Sequence, residues 1–407
     1  MNIDIIFNTD ILLYNIFKEG YINMENKKLN EMIINMRREL HKIPEVGTDL
    51  PQTKKYVVDK LKSLGLEVKE CSLDSGMVCD IGNVKSGNIV AIRADMDALP
   101  IAEETGVEYA SKNGNMHACG HDAHTACLLG AACYLSENKD RLKNGAVRLV
   151  FQAAEEIAKG AKNLIKDGLL DDVSAIIGTH IGTIAADVPS GEFVIQGGPL
   201  MASNDKFVIK VIGKGSHGAY PHLGFDPILI ASQIVQAIYN IKSREIIATD
   251  PTVISICMIN GGHQYNIIPS EVTLEGNFRT FSEENVNFIR KRIKEISESI
   301  ALANRAKAEV IMEWGCSPVI NDIKIADELS EVCNKLGFKK SSHFTPSMAG
   351  EDFAEYLHKI PGTFIFFSTM TEKNIPHHNS KFEIDESKLY QPTILMSEWA
   401  IKHLENK

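Results

Sequence analysis

IVAIRADMD, residues 89–97, is the stretch that decides the fold class. Ile89 to Ala94 form a short apolar run, bounded by Gly87 on one side and by Asp95 and Asp97 on the other, so a buried strand should end at the two aspartates. Working outward, residues 146–153 and 175–178 read as strands of the same kind, and residues 123–135 and 159–167 read as helices. Upstream, residues 28–66 suggest two helices separated at Ile43-Pro44-Glu45, the second closed by Gly65 as a C-terminal cap. This alternation predicts an α/β fold, a mixed sheet sandwiched by helices. Ligands in such sheets gather beyond the carboxyl ends of the strands, where Asp97, Glu155, Glu156 and His180 all fall.

The middle of the chain has a different order. Residues 205–212, 252–259, 271–281 and 308–314 read as strands, with helices at 227–243 and 283–305, giving β-α-β-β-α-β, the ferredoxin-like arrangement. After Pro318 come helices at 323–336 and 353–359, a strand at 363–368 and a terminal helix at 387–405. A catalytic domain of residues 24–203 plus 318–407 is therefore expected to carry an inserted domain, 204–317. Residues 1–23 form an apolar extension without a basic leading region, and Met24 is the expected alternative start.

Composition excludes several classes. At 407 residues, 44% hydrophobic and 24% charged, the chain has ample core and no disordered character. A net charge of -10 without a basic stripe disfavours nucleic-acid binding. No run reaches the roughly 18 to 20 apolar residues that span a bilayer, so no membrane association is expected. Eight cysteines without dense spacing fit a reducing cytoplasm.

Chemistry concentrates in MHACGHDAH, residues 116–124. Cys119 and His121 offer a thiolate and an imidazole to a zinc-like ion, although an isolated pair of this kind is more often a bystander. Glu155-Glu156 follows a strand, and adjacent extended residues point to opposite faces, which would give the two carboxylates different duties. Alone they would read as a solvated acidic pair, just as His180, alone, would read as a hydrogen-bonded core histidine. Of His377 and His378, spacing does not choose the one that faces a metal.

RRELHKIPE (37–45), RADMDALP (93–100), MHACGHDAHT (116–125), QAAEE (152–156), GTH (178–180), SHGAYPH (216–222), NIIP (266–269) and GEDF (350–353) occur in the order seen in the hippurate hydrolase and N-acyl-amino-acid amidohydrolase family, aminoacylase-like cocatalytic metallopeptidases that this chain resembles from Leu29 onward. The resemblance implies Cys119, His121, Glu156, His180 and His378 as ligands of two divalent metal ions, Glu155 as general base and Asp97 as the residue orienting a ligand. His378 stands four residues before Phe382, as the family's last ligand stands before its aromatic residue; Ser380 replaces the usual proline, which keeps His377 as the fallback. It further implies His217, Asn266 and Arg279 as substrate contacts, a lid-like inserted domain that forms a homodimer, and a small N-acyl amino acid substrate. Physically, Arg279 can grip a carboxylate and His217 an oxyanion, though either could equally serve as a surface ion-pair partner or a turn cap. The mixed sulfur, nitrogen and oxygen donors suit manganese or zinc, with cobalt or nickel also accepted. The alternatives are an N-acetyl-diaminopimelate deacetylase and, from another class, a noncatalytic metal-dependent binding protein.

Overall fold

The computed structural model describes residues 25–183, 187–342 and 344–405; the alternative start at Met24 lies outside them. The chain divides into two compact units, one built from residues up to Gln196, Asp322–Thr345 and Lys359 onward, the other from Gly197–Asn321 and Pro346–His358. Residues 346–358, assigned from sequence to the larger domain, thus group with the smaller one.

In the larger unit, residues 25–41 are helical and a second helix runs over Pro51–Ser63. Leu50 cannot cap that helix, so Glu45 does: its carboxylate accepts from the backbone N–H groups of Gln52 and Thr53 at 3.0 and 2.9 Å. Gly65, at φ +74°, closes the C-terminal end as expected. An eight-stranded mixed sheet follows. Its centre orders Ala146–Gln152, Ile89–Asp95, Val173–Gly182 and Gly362–Ser368 side by side and parallel. Every residue of Ile89–Asp95, Ala146–Gln152 and Gly362–Ser368 is buried, which explains why these segments read as continuous apolar runs rather than as alternation. Glu192–Val194 and Lys339–Lys340 are too short to show a period in sequence, yet they extend the sheet on one side. Ile33, Leu129, Leu329 and Trp399, from four helices, share one core with Ile92, Leu149, Ile177 and Ile365 of the sheet.

The smaller unit is an antiparallel sheet ordered Thr252–Asn260, Glu271–Thr280, Asn204–Ile212 and Lys307–Cys316. Strict alternation on Asn204–Ile212 buries Phe207, Ile209 and Val211 against Ile230, Ile234 and Ile293 of the helices Pro227–Asn240 and Glu283–Ala303. Asp226 and Ser282 cap those helices through the N–H groups of Ile228 and Asn285. The strand order is the ferredoxin-like one expected. Among the described residues no helix is long and apolar enough to cross a membrane.

Candidate metal centre

Four loops leave the carboxyl ends of the parallel strands and meet. Past Ile89–Asp95 the chain carries Asp97, whose carboxylate accepts the backbone N–H groups of Glu155 (3.0 Å) and Glu156 (3.2 Å). Those glutamates are not extended, contrary to the alternation argument. They sit in a turn flanked by Ala154 at φ +57° and Ala158 at φ +51°, clamped by Asp97, which brings both carboxylates to the same side.

The helix His121–Glu137 begins at the cluster itself. Gly120, at φ +89°, makes the entry: a Cβ there would lie 2.8 Å from the Ile181 carbonyl oxygen. His121 Nδ1 lies 2.8 Å from the Asp97 carbonyl oxygen, so it carries a proton; burial opposes a charge on the ring, yet Asp95 and Cys119 raise it well above its ordinary range, and a cation at Nε2 would take the place of its second proton. That nitrogen stands 3.9 Å from Glu156 Oε1, 4.0 Å from Glu155 Oε2 and 3.7 Å from Asp95 Oδ2. Cys119 Sγ is 3.5 Å from His180 Nε2, and His378 Nε2 is 3.5 Å from Glu156 Oε1. The donor atoms of Cys119, His121 and Glu156 all lie within 4.8 Å of one another.

The adjacent histidines differ. His377 is half-buried, lies tilted against Phe382 with ring centroids 4.6 Å apart, and accepts the Thr183 N–H at Nε2 (2.8 Å). Desolvation lowers its pKa to about 3, so the ring is neutral; its Nε2 is occupied by the Thr183 N–H, although its ring also comes within 4.8 Å of the donor atoms of Cys119 and His180. His378 adopts φ +61°, which turns its side chain away from that of its neighbour and toward Glu156. Cys119 and Glu156 raise His378 to about 10. Burial alone would raise Glu156, yet His378 and His121 hold it below the ordinary carboxylate range. Burial pushes the Asp97 carboxyl up, opposed by His121, and also pushes the Cys119 thiol up.

His121 Nε2 is buried and has no hydrogen-bond partner, a costly arrangement beside so many acidic groups. A thiol, imidazole lone pairs and carboxylates turned toward one point fit divalent cations, which would draw the thiol to thiolate. The larger unit therefore brings together Cys119, His121, Asp97, Glu155, Glu156, His180 and His378. In the smaller unit His217 and Asn266 are neighbours, with Gly218 N–H donating to the Asn266 carbonyl oxygen at 2.7 Å, and both are exposed. Arg279 lies on a separate strand, its Nη1 donating to the Met348 carbonyl oxygen at 2.7 Å. From sequence, His124 has only a supporting or helix-end role and Asp95 none; the available signals were the HxxH spacing of His124 to His121 on one helix face and the place of Asp95 at a strand end.

The family model described as Peptidase family M20/M25/M40 matches residues 91–396, three quarters of the chain. The chain belongs to this family. An N-acetyl-L-cysteine deacetylase of Bacillus subtilis (strain 168) is 41% identical over 379 residues, 93% of this chain and 89% of the relative. A hippurate hydrolase of Campylobacter jejuni is 36% identical over 378 residues, 91% and 96% of the two chains. A solved Bacillus subtilis structure, described as a dinuclear metal-binding peptidase of the M20 family, matches with a TM-score of 0.82 at 36% identity, covering 94% of this chain and all of the other. The M20 protein is thus a metal-binding amidohydrolase with the mixed α/β fold of that family.

Proposed function

We propose that this M20 enzyme hydrolyses the amide bond between an acyl group and an amino acid, with Cys119, His121, Glu156, His180 and His378 holding two divalent ions, manganese or zinc by the donor set. The observation that carries this reading is the Glu155–Glu156 turn: Asp97 holds both backbone N–H groups, and the two carboxylates stand 4.0 and 3.9 Å from His121 Nε2, so that a ligand and a base for proton transfer are offered side by side. When bound, such ions acidify a water and polarise a carbonyl oxygen. Glu155 takes the water's proton and returns it to the departing amine. His217 stabilises the charge that develops on the acyl oxygen, Asn266 donates to the substrate, and Arg279 grips the free carboxylate of the amino acid. The relatives named for N-acetyl-L-cysteine and hippurate support both an aliphatic and an aromatic acyl group.

A panel of N-acetyl-cysteine, hippurate, other N-acyl amino acids and N-acetyl-diaminopimelate, assayed with manganese and with zinc, tests the substrate class. Turnover of several simple N-acyl amino acids is expected; turnover confined to the diamino diacid would replace the reading. The ligand assignment predicts that His378→Ala loses bound metal, whereas His377→Ala, which removes a packing ring and an acceptor for Thr183, keeps its metal and loses stability. Metal analysis of the two purified variants checks this, and the opposite pattern defeats it.

A further inference from the structure

The sheet splits where the cluster begins. Ile89–Asp95 and Val173–Gly182 are paired only as far as Arg93 and Gly178; beyond them the Ile89–Asp95 strand continues on its other side, with Asp95 opposite Gln152. Ile181 therefore has no strand partner on the side of the split, and it is fully buried, so its N–H needs an acceptor. His124 supplies it. Its Nε2 accepts the Ile181 N–H at 2.7 Å, and its Nδ1 donates to Asp95 Oδ1 at 2.5 Å. The other Asp95 oxygen accepts from Arg93 Nη1 at 2.8 Å and stands 3.7 Å from His121 Nε2. The imidazole of His124 lies edge-on to His180, ring centroids 4.6 Å apart, and 5.3 Å from His121.

The donor atoms of Asp95, His121 and His124 come within 4.8 Å of one another, a grouping that could itself pass for a metal site. The hydrogen bonds argue otherwise for His124. Its one lone pair already receives the Ile181 N–H, and its one ring proton is given to Asp95. We propose that His124 is a positioning residue: it spans the gap between two diverging strands, replaces the missing backbone partner of Ile181, and thereby sets the separation of His121 from His180. This rests on the reading of His121 and His180 as ligands. Asp95 is the second half of the same bridge, held by Arg93 on one side and by His124 on the other.

The test compares His124→Leu, which keeps volume and loses both polar atoms, with His124→Gln, whose amide can accept the Ile181 N–H near the position of Nε2. Manganese affinity is measured by calorimetry, the cobalt-loaded protein is examined by absorption spectroscopy for thiolate charge transfer and ligand-field bands, and the metal-free proteins are melted. His124→Leu should bind metal about 10- to 100-fold more weakly, the usual effect of removing a group that orients ligands, with an altered cobalt spectrum; His124→Gln should recover much of both. Wild-type affinity and spectrum in His124→Leu would overturn the proposal, as would equal loss in the two variants traced to melting of the metal-free fold. His121→Ala runs in parallel: if it keeps the full metal content, the ligand reading fails, independently of what His124 does.

Discussion

Glu155→Gln is expected to retain its metal and to lower kcat by about 10²- to 10⁴-fold, the range that a positioned general base contributes. The amide keeps the size of the side chain and, because Asp97 grips the backbone N–H rather than the side chain, the turn survives the exchange. Proton transfer is what disappears. Metal content and kcat measured on the same preparation decide the matter. Turnover within a few-fold of wild type, with metal bound, would remove Glu155 from the chemistry, whereas absence of turnover in wild type and variant alike, with metal bound to both, would favour a binding protein on this scaffold; loss of metal from the variant would instead make Glu155 a ligand.

Asp122→Ala is expected to destabilise the metal-free protein by about 3–5 kcal/mol, the cost of leaving a buried charge without its partner. Asp122 accepts from Arg37 Nε at 2.7 Å, and His41 Nδ1 lies 2.7 Å from the same oxygen, all three side chains at most 2% exposed. His41 Nε2 reaches Glu103 at 3.2 Å, and Glu103 also accepts the Ser111 N–H, so the cluster pins the long loop that precedes MHACGHDAH to the first helix. Denaturant unfolding of the metal-free variant separates this effect from metal loss; a change below about 1 kcal/mol would contradict the account.

The same cluster has a pH signature. Burial works against a charged His41, but Asp122 and Glu103 overcome it and raise the pKa above the ordinary 6.5. Its stabilisation is thus complete below pH 6.5 and fades as pH climbs through the raised value. Burial works against the Glu103 charge too, yet His41, Thr105 and Ser111 lower it from 4.5 to about 2, so this share is present above pH 4.5 and is lost as pH falls toward 2. The stability difference between wild type and His41→Asn should therefore be widest between pH 4.5 and 6.5 and shrink on both sides.

Much of this was legible in the sequence because two periods differ. The runs at residues 89–95, 146–152 and 362–368 could be read as parallel strands since both faces are buried, and their ends had to gather the acidic groups and histidines. The four antiparallel strands and two helices of the smaller unit followed from their order along the chain and from the alternation of residues 205–212. What stayed hidden was conformation without a compositional sign. Ala154 and Ala158 adopt positive φ, and alanine announces nothing of the kind, so the turn that presents Glu155 and Glu156 was read as extended. His378 is equally silent about the positive φ that separates it from His377. His121 and His124 lie on one helix face and look interchangeable; their different duties are set by Ile181, far along the chain and in another strand.

The placement of Gly362–Ser368 between Val173–Gly182 and Glu192–Val194 bears on how the molecule is born. The sheet that carries the metal-binding loops cannot close until residue 368 has been made, by which time the uninterrupted run Gly197–Asn321 of the smaller unit has long been synthesised. At roughly 5–20 residues per second, the two neighbouring strands emerge about 10–40 s apart. His378 follows a few residues later still. A nascent chain thus holds its cysteine, carboxylates and earlier histidines in an unfinished sheet throughout that interval, and the strand that completes their surroundings is the last of the parallel four to arrive.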